Sequence, residues 1–210
     1  MKVIVQYDDT LQSSNLQDAQ EKLSKLSPIE VSCNNWPDQY PETPKVSVRL
    51  LHNNKDIFVR FDVEEKYTMA RVENDNGQVW TDSTCEFFIS FDEKTYYNIE
   101  MTCIGKVLIG YRSNVEPQLG STDSIKRLPS LGTEPFAERI GDNKWSLTYS
   151  VPITAFWKHN LTELHGVKAR GNFYKCGDNL TKAHFLSWSP IKYPTPNFHL
   201  PEFFGEISFE

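Results

Sequence analysis

Residues 79–105, VWTDSTCEFFISFDEKTYYNIEMTCIG, read as two strands around a short turn, with two faces of opposite chemistry. Strand side chains alternate between faces. Pairing Phe91 with Tyr97 brings Ile89 to Ile99, Phe87 to Met101 and Cys85 to Cys103, an apolar face throughout. The same register predicts the second face, with Glu86, Phe88 and Ser90 across from Thr102, Glu100 and Asn98. Carboxylates, an amide, hydroxyls and one ring share that side. Such a hairpin buries its oily side against another sheet and offers its polar side to a hydroxyl-rich ligand. Trp80 sits just before the first strand, where an indole can lie over the mouth of that surface. The competing reading of the polar face is plain solvent exposure, as on many antiparallel sheets.

Outward from the hairpin the chain continues in short strands. Residues 1–7 alternate as a strand, and Ser13 to Leu26 reads as a helix, with Leu16, Ala19, Leu23 and Leu26 at helical spacing. Val46 to Leu51 and Ile57 to Val63 are strands around a His52–Asp56 turn, and the second puts Ile57, Val59, Phe61 and Val63 toward the core. Residues 64–78 read as a polar connection with room for a short strand, 106–111 as strand, and 112–135 as a long loop. Strands follow at 145–151 and 167–174, the second placing Arg170, Asn172 and Tyr174 on one face. A proline-rich and aromatic segment from Phe185 leads to a last strand at 205–209. The expected fold is an all-β, two-sheet, mostly antiparallel β-sandwich with one short N-terminal helix. It is expected to be a single domain over residues 1–210, with 1–30 as a strand–helix extension.

Composition narrows the partners. Net charge is -6 with Lys and Arg scattered along the chain, which argues against a nucleic-acid or anionic-membrane surface. No run is long and apolar enough to cross a bilayer, so no membrane insertion is expected. The opening MKVIVQYDDT lacks the apolar core of a secretory signal; the sequence as given reads as cytoplasmic, or as secreted if a leader was removed. Cys33, Cys85, Cys103 and Cys176 show no metal-site spacing, so free thiols are the default, with Cys85 and Cys103 close enough in the expected register for a disulfide. The run Glu73-Asn74-Asp75-Asn76-Gly77 has the oxygen ligands of a calcium loop but is too short for an EF-hand, and reads first as a solvated turn.

The order of Trp36, PKVSVRLLHNNKDIFVRFDVEE (residues 44–65), VWTDSTCEFFISF (79–91), YYNIEMTCIG (96–105), WSLTYSVPI (145–153) and FHLPEFFGEISF (198–209) resembles the family 9 carbohydrate-binding modules, closest to stand-alone bacterial versions. The resemblance implies a lectin-like sandwich that binds a mono- or oligosaccharide without catalysis, a sugar clasped between two Trp rings, and structural calcium; no other cofactor is expected. Carried onto this chain, it makes Trp80 one ring and Trp188 the other, Glu86 a carboxylate that bonds sugar hydroxyls, and Tyr111 and Arg112 polar contacts. Together with the hairpin face and the 167–174 strand, the candidate ligand-binding residues are Trp80, Glu86, Asn98, Glu100, Tyr111, Arg112, Asn172 and Trp188. A monomer is expected. Core packing is the competing reading for both Trp residues.

Other functions use the same residues. Glu86 and Glu100 could serve a paired-carboxylate glycosidase. Related sandwiches bind haem b, for which Met101 with His184 or His199 would be the axial pair, although Met101 falls on the apolar face. A sugar site that has decayed into a protein-binding surface is a further alternative.

Overall fold

A computed structural model of the protein describes residues 1–92 and 94–210. Its framework is β1 (Lys2–Tyr7), α1 (Leu16–Ser24), β2 (Lys45–His52), β3 (Asp56–Ala70), β4 (Thr84–Ser90), β5 (Tyr96–Thr102), β6 (Val107–Arg112), β7 (Phe136–Pro152), β8 (Lys168–Cys176) and β9 (Gly205–Phe209). One sheet runs Lys126–Pro129, β7, β3, β2; the other runs β9, β8, β4, β5, β6, Gln118–Leu119. The first strand, β1, belongs to both. Its Lys2–Val5 stretch pairs with Glu206–Phe209 of β9, and Gln6 and Tyr7 pair with Leu51 and His52 of β2. Both β1 ladders are parallel, whereas the framework strands otherwise pair antiparallel.

The facing sheets bury the residues that alternation assigns inward. Val48, Val59, Phe61, Leu147 and Tyr149 meet Phe87, Ile89, Ile99, Met101 and Phe173, all 1 % exposed or less. Each such side chain contributes roughly 1.5–3 kcal/mol by leaving water. The outer face of the first sheet is closed by α1, whose Leu16, Ala19 and Leu23 pack on Leu51 and Phe58. Asn15 caps that helix by accepting from the Asp18 amide. No described helix is long and apolar enough to cross a membrane.

Two expectations and one competing reading need correction. The central hairpin is shifted by two residues: Ile89 pairs with Tyr97, Phe87 with Ile99, Cys85 with Met101 and Glu86 with Glu100. A two-residue slip preserves every face, so the apolar and polar sides stand as read while the partners change. The turn explains the slip. Asp92 caps the amides of Lys94 and Thr95, and Phe91 turns to pack on Phe156 with ring centroids 4.9 Å apart. Cys85 and Cys103 are therefore not partners, and all four cysteines are free thiols.

Second, β3 continues through Ala70 where a polar connection was expected. Its Glu64–Ala70 end pairs with the Phe136–Lys144 end of β7, a ribbon with two irregularities that lacks a hydrophobic repeat. Third, the polar face of the hairpin is not a solvent side. A strap from Phe185 to Phe204 crosses it, and Trp36, Ile191, Phe198 and Phe204 pack there on Phe88, Tyr96 and Tyr174.

Candidate functional site

The strap is fastened by groups on the face it covers. Asn172, fully buried on β8, donates to the Ser189 carbonyl at 3.0 Å and accepts from the Ser189 amide at 2.8 Å. Tyr174 donates to the Phe198 carbonyl at 3.1 Å while its ring stacks on Phe198, centroids 4.1 Å apart and 8° from parallel. Trp36 donates its indole N–H to the Tyr193 carbonyl at 2.7 Å. Beside the strap lies a cavity of about 270 Å³, between its Pro196–His199 segment and the turn that carries Trp80.

That turn, Val79–Thr81, hangs from the core by the buried Val79. Its outer edge is tied to the loop after β8: the Trp80 carbonyl accepts from the Asp178 amide at 3.2 Å and the Thr81 carbonyl from the Asn179 amide at 3.1 Å. Trp80 remains 36 % exposed and contributes to the cavity lining. Phe185 and Phe198 add further aromatic wall.

The polar lining comes from four strands, the loop after β8 and the strap. Glu86 on β4 and Glu100 on β5 are directly opposite neighbours, so their side chains lie side by side. Glu86 accepts from the Cys176 thiol at 3.0 Å, and Glu100 accepts from the Asn98 amide at 2.8 Å. Asn98 in turn accepts from Arg112 Nε at 3.4 Å. Gly110 makes room for it, since a Cβ there would sit 2.5 Å from Asn98 Oδ1. Burial, reinforced by the neighbouring Glu100 charge, pushes Glu86 well above the usual carboxylate range. Burial likewise raises Glu100 to about 7 and Asp178 to about 6. His199, whose Nδ1 lies 3.0 Å from the Tyr96 hydroxyl, is lowered to about 4 by burial and the Arg112 charge, and so is neutral near pH 7.

Of the residues singled out in the sequence, Trp80, Glu86, Glu100 and Arg112 line the cavity together. Asn98 stands just behind, bonded to two of them, and Asn172 is the strap's fastening. Two do not gather there. Trp188 is 3 % exposed and belongs to the inter-sheet core, 5.5 Å from the Phe173 ring. Alternation along Phe185–Ser187 carries on one residue, turning Leu186 and Trp188 inward and Phe185 toward the cavity. Tyr111 likewise faces inward, 5.2 Å from Tyr97 and 6.2 Å from Trp157. Cys176, Asp178, Phe185, Asn197, Phe198 and His199 were missed. Extending the Arg170–Asn172–Tyr174 alternation by one step would have found Cys176; the strap residues carry no local signal of where they dock.

The arrangement suits recognition better than bond cleavage. A glycosidase sets its carboxylates on either side of the scissile bond. Here they share one floor on adjacent strands. Haem ligation fits no better: Met101 is sealed in the inter-sheet core, and His184 Nε2 lies 2.9 Å from the Lys175 ammonium. Nor do the residues present fit a calcium loop. Asp75 receives both Arg127 Nη atoms at 2.7 and 2.8 Å and the Thr122 hydroxyl at 2.9 Å, so a guanidinium occupies its oxygens. Among the described residues no cluster of three metal-ligating side chains occurs.

A family model described as carbohydrate-binding family 9 matches residues 15–209. A crystal structure of a candidate carbohydrate-binding protein from Bacteroides uniformis is 37 % identical with a TM-score of 0.93, over 100 % of this chain and 99 % of that one. A family 9 carbohydrate-binding module from Caldicellulosiruptor kristjanssonii in complex with cellotriose aligns over 100 % of this chain and 94 % of that one, at 10 % identity and TM-score 0.59. A glucose complex from the same organism aligns over 100 % and 96 %, at 11 % identity and TM-score 0.54. At those identities the two complexes speak for the fold alone. No curated protein matches the chain.

Proposed function

This chain belongs to carbohydrate-binding family 9, and from that footing we propose that it binds a mono- or oligosaccharide by seating one sugar ring in the cavity beside Trp80. The family consists of binding modules rather than enzymes. One observation carries the reading: a part-exposed indole forms one wall of a cavity whose lining includes two buried carboxylates, each with one oxygen left for a ligand. A pyranose presents C–H bonds on its faces and hydroxyls at its rim, so the indole suits a face while Glu86, Glu100 and Arg112 suit the rim. The volume, about 270 Å³, lies just below the range of drug-sized pockets and matches one ring rather than a buried chain. Further residues of an oligosaccharide would extend past Trp80 into solvent.

Stacking on one ring adds only about 0.5–1.5 kcal/mol beyond area burial, so affinities in the millimolar to micromolar range are expected. Calorimetric titration with glucose and cellotriose, the sugars held by the Caldicellulosiruptor modules, tests the proposal. Binding should weaken about tenfold or more in Trp80→Ala. Absence of heat with every soluble sugar, or undiminished binding by the variant, overturns it.

A further inference from the structure

The cavity beside Trp80 holds more carboxyl groups than nearby cations could balance if all were ionised, and the inference rests on reading that cavity as a sugar site. Glu86 and Glu100 are each only 3 % exposed. Among the described residues their side-chain donors are the Cys176 thiol and the Asn98 amide, both on Oε1, so Oε2 of each has no protein donor. The Asp178 carboxylate, at the exposed rim of the lining, has no hydrogen bond or ion pair among them. Against three carboxylates stands one cation, Arg112, with its Nε engaged by Asn98. Lys175 lies behind Cys176 but is committed to Glu65 at 2.9 Å, the Cys176 carbonyl at 2.8 Å and His184. His199 is neutral. An unpaired buried carboxylate is costly, and the group responds by taking up a proton unless a cation arrives.

We infer that the cavity selects a hexose bearing a free amine, the ammonium seated at the Glu86–Glu100 pair, with Asp178 at the cavity rim and a face of the ring on Trp80. An ammonium offers donors and no acceptor, which matches the Oε2 atoms left open on Glu86 and Glu100. Its charge lets the carboxylates ionise in a desolvated site, where charge-assisted bonds are about twice as strong as neutral ones. A neutral hexose leaves them to hold protons. An N-acetylated amine forfeits the charge, and a uronic acid adds a further carboxylate to those present.

The probes are glucose, glucosamine, N-acetylglucosamine and glucuronate, titrated calorimetrically into the whole chain at pH 7 in low and high salt. Glucosamine should bind at least tenfold more tightly than glucose, N-acetylglucosamine no more tightly than glucose, and glucuronate most weakly. High salt should shrink the glucosamine advantage and leave glucose unaffected. Because Glu100 and Asp178 hold protons part of the time near neutrality, glucosamine binding should also release protons, seen as a heat that changes with buffer ionisation enthalpy. In Asp178→Asn and Glu100→Gln the advantage should fall severalfold. Equal or tighter binding of glucose overturns the inference while the sugar site stands; failure of all four probes and of cellotriose overturns both. A glucosamine advantage that ignores salt and survives both substitutions also overturns the inference.

Discussion

Replacing Glu100 by glutamine should make the protein more stable at alkaline pH and leave it nearly unchanged in acid. The side chain is buried, its Oε1 accepts from Asn98, and glutamine keeps that acceptor and the shape. In the folded chain burial raises the carboxyl from the usual 4.5 to about 7. Between those values the folded state binds more protons than the unfolded state, so stability falls as pH rises. The penalty is absent well below pH 4.5 and complete above about pH 7. At about 1.4 kcal/mol per pH unit the interval corresponds to about 3 kcal/mol. Urea unfolding of both proteins should therefore give a gap below about 1 kcal/mol at pH 5 that widens to about 3 kcal/mol at pH 8, with the variant the more stable. Glu86 remains in the variant and keeps some pH dependence of its own. A gap that does not change with pH, or a variant less stable than the parent at pH 8, would refute the placement of an ionisable, unbalanced carboxylate here.

Trp188→Ala should cost about 3–5 kcal/mol in denaturant unfolding, because the indole fills inter-sheet core, and at a temperature where the variant is still folded its sugar affinity should be close to the parent's. Lys175→Met strands the buried Glu65 carboxylate and should destabilise by about 3–5 kcal/mol, whereas adding Glu65→Gln to it should recover much of the loss; a double variant no better than the single contradicts the pairing. Deleting residues 198–210 removes β9 and the end of the strap and should abolish cooperative melting, so a truncated chain with the parental transition would exclude the proposed contribution of that segment.

The two-sheet fold was legible because alternation is a local signal: Phe87, Ile89 and Ile99, or Val59 and Phe61, announce their face without reference to distant partners. The carboxylate floor of the cavity followed from the same rule, which puts Glu86, Glu100 and Asn98 on one side whichever even register the hairpin adopts. Register itself depended on the Asp92 turn, and the wrong pairing concealed that the two glutamates are immediate neighbours. Trp188 misled because a family likeness located the loop while a single step of alternation located the ring. Asp178 and His199 reach the cavity through a loop and a strap held by remote anchors such as Asn172 and Trp36. Nothing near them in sequence reports those anchors. The same holds for β1, whose alternation reveals a strand but not that it joins two sheets.

That double membership of β1 has a kinetic consequence. Residues 2–5 find their partners only in residues 206–209, so the ladder that locks one sheet to the other pairs positions some two hundred residues apart. During synthesis at about 5–20 residues per second, the first strand waits roughly 10–40 s with little besides the two-residue register against β2 to hold it. Closing so large a loop early is entropically unfavourable, which places this ladder among the late events of folding and makes the whole process slow. For that interval the nascent chain presents the Val3 and Val5 edge unpaired, an aggregation hazard that ends when β9 arrives.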